Sequence, residues 1–328
     1  MLTAGPAREQ DRSPIIELAR RTFGDDFAAQ LDREWHWQWH EDPRLAEPGY
    51  RGIVVREGER IVGTTALLPA GLHVAGVPVE AWWQVCTAVD EQCRRRGIGA
   101  LLQQKMESRS VLAKGPSEGA LALFRSTGYQ VVDFGGYWTR TLDFKARLQR
   151  STGGGVGGAL GSLANAFIES VPEMPSGVSE LSGEFDARFD SLWESARKQY
   201  PAITRRDAAV LNWRYRRKPL ADYTVLVLEN RGYLTFSDFE RRGIRRGRIV
   251  DVLAGRDDED ARRELIAGAL HALHERGADR VDCLATSPVV REALRAAGFS
   301  PAKRPDPLVM RGIELDEPYF CAGDGDGA

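Results

Sequence analysis

Arg94-Arg95-Arg96-Gly97-Ile98-Gly99 is the segment of this chain best equipped for chemistry. It follows the strand-like run Val85–Val89 and the acidic pair Asp90-Glu91, and it leads into the helix-forming Ala100-Leu101-Leu102. A half-buried strand, a basic turn with two glycines and a helix start together make an anion site. The first amides of a helix have no internal partner and carry partial positive charge. Glycines at 97 and 99 leave the backbone open to an approaching phosphate, and the three guanidinium groups add charge-assisted donors. The loop lacks the Gly-Lys-Ser/Thr of a P-loop and the three-glycine spacing of a dinucleotide fingerprint.

The pattern Arg94-x-x-Gly97-x-Gly99 resembles the acyl-CoA loop of the GCN5-related N-acetyltransferase (GNAT) superfamily, written Gln/Arg-x-x-Gly-x-Gly/Ala. Downstream, the run from Ser117 through Ala120, Phe124 and Gly128 to Tyr129 is similar to that family's next helix, Asn-x-x-Ala-x-x-x-Tyr-x-x-x-Gly-Phe. The resemblance implies acetyl-CoA, or another short acyl-CoA, as co-substrate and no metal. It implies that the pantetheine arm lies along Ala88, Val89, Asp90 and Glu91. It further places the pyrophosphate on Arg94, Arg95, Arg96, Gly97, Ile98, Gly99 and Ala100, with Ser117, Ala120 and Phe124 touching the cofactor from the following helix. The thioester carbonyl would face a backbone N–H on the strand before the loop, which stabilises a tetrahedral oxyanion.

Two departures from the family pattern concern proton transfer. Phe124 stands where many members carry a tyrosine that protonates the leaving thiolate. Trp82-Trp83-Gln84 stands where some carry a base glutamate, which leaves Glu80 as the nearest carboxylate and the one candidate catalytic residue. The competing reading of Glu80 is a solvated residue at a strand start, the usual fate of glutamate. His36 and His40 share a helix face but lack a third ligand for a metal. Cys86, mid-strand among apolar neighbours, is expected to be an inert buried filler.

The elements that must position these residues occur twice. Trp37-Gln38-Trp39-His40-Glu41-Asp42-Pro43 precedes a strand in the first half, and Trp213-Arg214-Tyr215-Arg216-Arg217-Lys218-Pro219 precedes one in the second. Each half closes on a helix ending in Gly-aromatic, at Gly128-Tyr129 and Gly298-Phe299. Shared spacing at both ends predicts two copies of one α+β fold, each a mostly antiparallel mixed sheet flanked by helices. Residues 1–150 form the acyl-CoA-binding copy in this reading and 151–175 a glycine-rich linker. Residues 176–316 form a degenerate second copy and 317–328 a flexible tail. In that second copy, Gly255-Arg256-Asp257-Asp258 replaces the basic turn, and its carboxylates would repel a pyrophosphate.

Composition bounds the function. A chain of 328 residues, 42% hydrophobic and with net charge −2, is long enough for two domains and has no basic field for nucleic acid. No apolar run reaches membrane-spanning length, and the N-terminus lacks signal-peptide order. Four scattered cysteines fit a reduced, cytoplasmic protein. The expected function is N-acylation of a primary amine, on a small molecule or amino sugar, by direct attack in a ternary complex. The protein is expected to act as a monomer or homodimer. A non-catalytic acyl-CoA sensor or scaffold and an aminoacyl-tRNA-dependent tandem transferase stay open as alternatives.

Overall fold

The computed structural model describes residues 1–132, 136–143, 170–241, 243–302 and 307–325. The chain opens with β1 (Leu2–Pro6), α1 (Arg12–Phe23), α2 (Asp25–His40), β2 (Gly52–Glu57) and β3 (Arg60–Pro69). A small hairpin, β4 (Leu72–Val74) and β5 (Val77–Val79), leads to β6 (Trp82–Val89), α3 (Ile98–Gln104), β7 (Val111–Lys114) and α4 (Glu118–Ser126). Next come β8 (Gln130–Val132), β9 (Tyr137–Thr141), β10 (Val178–Glu180), α5 (Ala187–Gln199), β11 (Ala202–Thr204) and α6 (Ala208–Tyr215). The rest is β12 (Thr224–Leu228), β13 (Gly232–Arg241), β14 (Ile244–Ala254), α7 (Glu259–Glu275), β15 (Arg280–Leu284) and α8 (Pro288–Ala296). It closes with β16 (Ser300–Pro301), β17 (Leu308–Arg311) and β18 (Pro318–Tyr319).

Local chemistry explains the elements that matter most. α1 carries Pro14 in its first turn, buries Ile15, Ile16, Leu18 and Ala19, and stops at Gly24 with φ of 97°. β3 is buried from Ile61 to Pro69 and so forms a central strand. α3 lies close against it because Gly63 has no side chain; a Cβ there would collide with Ile98 Cγ2. The strand β1, which pairs with β2 from Leu2↔Glu57 to Pro6↔Ile53, was not anticipated from the sequence.

Two compact units result. The first comprises Met1–Asp133, Ala209–Ala221 and Asp306–Leu315, and the second Phe134–Ala208, Asp222–Pro305 and Asp316–Ala328. Among the described residues the sheet of the first unit runs β1-β2-β3-β6-β7-β17-β8. That of the second runs β10-β12-β13-β14-β15-β9-β16. Each sheet is antiparallel except at one step, β6 with β7 in the first and β14 with β15 in the second. The duplication read from the sequence is therefore a duplication of sheet order and strand direction.

The copies are not contiguous, however. The sixth strand of the first sheet is β17, from the far end of the chain, while β9 is the sixth strand of the second. Periodicity marks both segments as strands but does not say which sheet they join. Two further expectations meet the structure differently. Most of the segment taken as a linker, up to residue 169, lies outside the described residues. Residues 317–325 are not a flexible tail. Tyr319, Phe320, Cys321, Ala322 and Asp324 are all buried in the second unit, for reasons given below.

Candidate active site

β6 and β7 run parallel but are registered only at Trp82↔Val111 and Trp83↔Leu112. Beyond those pairs they part, leaving a cleft walled on one side by Gln84–Val89. Within that stretch β6 bulges, since Thr64 faces Ala88 and Ala66 faces Val85, so Thr65 alone opposes both Cys86 and Thr87. Cys86 takes the left-handed backbone this requires, with φ of 51°. A bulge turns backbone groups out of the ladder, which is the geometry needed to aim an N–H into the cleft. Cys86 is half-buried at this turn and not a fully buried filler.

At the end of β6 the chain is pinned by Asp90. Its carboxylate accepts from the backbone N–H of Gln92 at 3.1 Å, from Arg60 Nη2 at 2.6 Å and from Arg21 Nη2 at 3.4 Å. Burial pushes its pKa up, but these donors outweigh burial and leave it below the usual carboxylate value. Asp90 thus shapes the loop through its side chain. Arg95 and Gly97 then adopt left-handed conformations, with φ of 62° and 80°, and Gly97 is the N-cap of α3. Arg94 pairs with Glu91 at 3.0 Å and Arg96 with Glu57 at 3.1 Å; Glu91, Arg94 and Arg96 are exposed and Glu57 is half-exposed. Exposed pairs of this kind are weak in water, so an incoming anion can draw these arginines over. Arg95 and Ala100 are exposed, while Ile98 is buried beneath the loop against Val55, Val62, Cys93 and Leu102.

The two glycines differ in purpose. A Cβ on Gly97 meets nothing, so its role is conformational. A Cβ on Gly99 would lie 2.7 Å from Leu123 Cδ2, so Gly99 serves the close approach of α3 to α4 and does not clear a path for a phosphate. That contact brings the loop and the second family motif together. In α4, Ser117 is the N-cap and accepts from Ala120 N–H at 3.3 Å. Phe124 is buried against Tyr129, with ring centroids 4.6 Å apart, in a core with Leu67, Met106, Val111, Ala113 and Val309. Ala120 packs on the edge of that core.

Glu80 is not brought to the cleft. It is exposed, accepts from Trp82 Nε1 at 3.1 Å, and precedes the paired end of β6. Six residues of extended chain, roughly 20 Å at the strand rise of ~3.3 Å, separate it from the bulge. Trp35, Trp37, Trp39 and Trp83 are buried core residues.

What the sequence reading missed is a polar cluster under the bulge. Gln84 Nε2 lies 3.1 Å from both Thr65 Oγ1 and Thr87 Oγ1, and those hydroxyls are 2.7 Å apart. Tyr129 Oη lies 3.1 Å from Gln84 Oε1 and 2.9 Å from Gln103 Oε1. Two threonines and two glutamines in otherwise apolar strands and helices were the available signal, but only the bulge puts Thr87 on the same face as Gln84.

The second unit has the same parting of strands, and its own chain fills it. β14 and β15 are registered from Arg246↔Arg280 to Ile249↔Cys283 and then diverge. Residues 318–323 lie in the gap. Gly323 N–H donates to Val250 O at 3.0 Å on one side. On the other, Cys321 bridges Ala285, and Phe320 N–H donates to Thr286 Oγ1 at 2.8 Å. Asp324 anchors the segment. Its carboxylate accepts from Arg206 Nη2 at 2.9 Å, Thr204 Oγ1 at 2.6 Å and Cys321 N–H at 2.9 Å. The loop after β14 is occupied too, with Arg256 N–H on Gln199 Oε1 at 2.8 Å and Asp258 capping Ala261 N–H at 3.0 Å. In this copy the gap between the parted strands and the turn after β14 are both occupied by the unit's own residues.

Comparison with known proteins agrees with this geometry. Residues 4–112 match the family model of the acetyltransferase (GNAT) domain. Among solved structures, a putative acetyltransferase from Pyrococcus horikoshii is 13% identical, with 97% of this chain and 92% of that one covered and a TM-score of 0.56. A GCN5-related N-acetyltransferase from Kribbella flavida is 16% identical over 95% of this chain and 72% of that one, with a TM-score of 0.57. Saccharomyces cerevisiae N-myristoyltransferase with bound myristoyl-CoA is 15% identical over 94% and 82%, with a TM-score of 0.62. No curated protein matches in sequence. At such identities the structures show the fold. Together with the domain match over residues 4–112, they give the chain an acetyltransferase (GNAT) domain and a GNAT-like fold. This chain carries that acetyltransferase domain at residues 4–112 and repeats its sheet plan in the second unit.

Proposed function

We propose that this protein moves an acetyl group from acetyl-CoA to a primary amine of a small molecule or amino sugar, using one cofactor site, in the first unit. The observation that carries the reading is that the β6–β7 cleft opens directly onto the basic left-handed loop Arg94–Gly99, whereas the matching cleft of the second unit is filled by residues 318–323. Pantetheine would lie along Ala88–Glu91 with its pyrophosphate on the loop. The backbone turned out at Cys86-Thr87 would receive the oxyanion. The amine attacks as the free base, its proton passing to water. Holding the two reactants together supplies much of the rate. Four free cysteines fit a reduced, cytoplasmic setting.

Phe124 in place of a thiol-protonating tyrosine favours one second reading, a non-catalytic acyl-CoA sensor. Thiol release from acetyl-CoA, followed against a panel of small amines and amino sugars, separates the two. Turnover with any of them supports the enzyme, whereas tight acetyl-CoA binding without release under every amine supports the sensor.

A further inference from the structure

The hydrogens of the buried cluster can be counted. Tyr129 has one O–H yet sits within reach of two amide oxygens, while Gln103 Nε2 is buried with no acceptor. Turning the Gln103 amide over resolves both: Nε2 donates to Tyr129 Oη, and Tyr129 donates to Gln84 Oε1. Burial pushes the Tyr129 phenol up to about 12, so it keeps its proton and remains a donor. Gln84 Oε1 is thereby fixed towards Tyr129, and its two N–H groups are committed to Thr65 and Thr87.

Each threonine now accepts from Gln84, and each has one hydrogen to place. Thr65 is fully buried, and its hydroxyl has only Gln84 Nε2 and Thr87 Oγ1 within reach among the described residues. Its hydrogen must therefore go to Thr87, since an unmade buried donor costs about 1–3 kcal/mol. Thr87 then accepts twice and must send its own hydrogen elsewhere. It is half-buried, on the bulge of β6, the strand that walls the cleft.

We propose that Thr87 is a catalytic residue, whose hydroxyl donates a hydrogen bond to the coenzyme A sulfur as it leaves. This rests on the acyl-CoA reading of the cleft. When the amine nitrogen bonds to the thioester carbon and the C–S bond breaks, the electron pair passes to sulfur. Thr87 keeps its proton and stabilises that thiolate, which takes its proton from water, and the amine's proton also leaves to water. The chain Gln103–Tyr129–Gln84–Thr65 orients the donor and replaces the tyrosine absent at Phe124.

The test compares coenzyme A with desulfo-coenzyme A, by calorimetry on the full chain at pH 7 and pH 9. A thiol of ordinary pKa near ~8.5 is largely ionised at the higher pH. The wild type should prefer coenzyme A by roughly 10-fold at pH 9, the size expected for a hydrogen bond to a charged group. That preference should shrink at pH 7. Thr87→Val and Thr87→Ala should both lose it while binding desulfo-coenzyme A within twofold of wild type, and Thr87→Ser should retain it. The desulfo ligand also reports that each variant is folded. Equal preference in wild type and Thr87→Val would overturn the role of Thr87. A wild type that binds neither ligand would instead overturn the acyl-CoA reading.

Discussion

Trp37 and Trp213 donate their indole N–H groups to each other's backbone carbonyl oxygens, at 2.7 and 2.9 Å, and their rings stack at 4.6 Å with an interplanar angle of 11°. They occupy matching places in the two sequence repeats, each two residues before another aromatic. Both belong to the first unit, because α6 carries the second repeat's tryptophan into it. The pair is thus where the duplicated motif meets its own copy. Arg44 caps the stack over Trp213 at 4.7 Å and Lys218 lies over Trp37 at 5.3 Å.

Replacing either ring should therefore destabilise the first unit. Trp37→Ala or Trp213→Ala should cost about 3–5 kcal/mol through lost burial. Phe at either site should cost less, since it keeps most of the ring and loses a hydrogen bond. Urea denaturation of the two Phe variants and their double mutant should show non-additivity of more than about 0.5 kcal/mol. Strict additivity would show that the two indoles do not act as a pair.

Asp324 should be among the most sensitive positions although only four residues follow it in the sequence. Arg206 is fully buried between Asp251 and Asp324, at 3.1 and 2.9 Å. Removing one partner of such a group costs about 3–5 kcal/mol. Asp324→Ala should lower the melting temperature markedly and speed hydrogen exchange at Phe320, Cys321 and Gly323. An unchanged melting temperature would mean that residues 318–323 do not hold the second cleft closed.

How much of this was legible beforehand follows from what each signal encodes. Arg94–Gly99 was readable as a turn into a helix, and Ser117–Tyr129 as a capped helix ending at a glycine, because loop and cap chemistry is local. The exchange of β9 and β17 was not readable, since Tyr137–Thr141 and Leu308–Arg311 alternate as strands in any sheet. Glycines and aspartates made residues 317–328 look like a tail. Tyr319, Phe320 and Cys321 are instead buried because the parted strands offer them backbone partners. Gly99 looked like a phosphate opening, and only three-dimensional contact showed Leu123 above it. Thr87 could not be picked out because its facing depends on a one-residue bulge.

Stability should depend on pH through Asp90. Its folded pKa lies below the unfolded value of 3.8, so its contribution is complete well above that value and is lost as pH falls through the folded pKa. Denaturation at pH 7 and pH 3 should show Asp90→Asn losing less on acidification than wild type. An equal acid sensitivity would show that the loop is not held by this carboxylate.

The loop arginines should matter for binding and little for folding. Arg94 and Arg95 are exposed, so changing both to glutamate should leave the melting temperature nearly unchanged. It should weaken acetyl-CoA by roughly 100-fold, the loss of two hydrogen bonds to charged groups. Arg96→Glu should also disturb Glu57 and cost some stability. An unaltered dissociation constant in the double variant would reduce the loop to a cap for α3.

Calorimetric titration of the intact chain with acetyl-CoA tests the central claim most directly. One site per chain is predicted, weakened by roughly 100-fold in the Arg94 and Arg95 double reversal under conditions where circular dichroism is unchanged. Two sites per chain, or a single site indifferent to those charges, would contradict it.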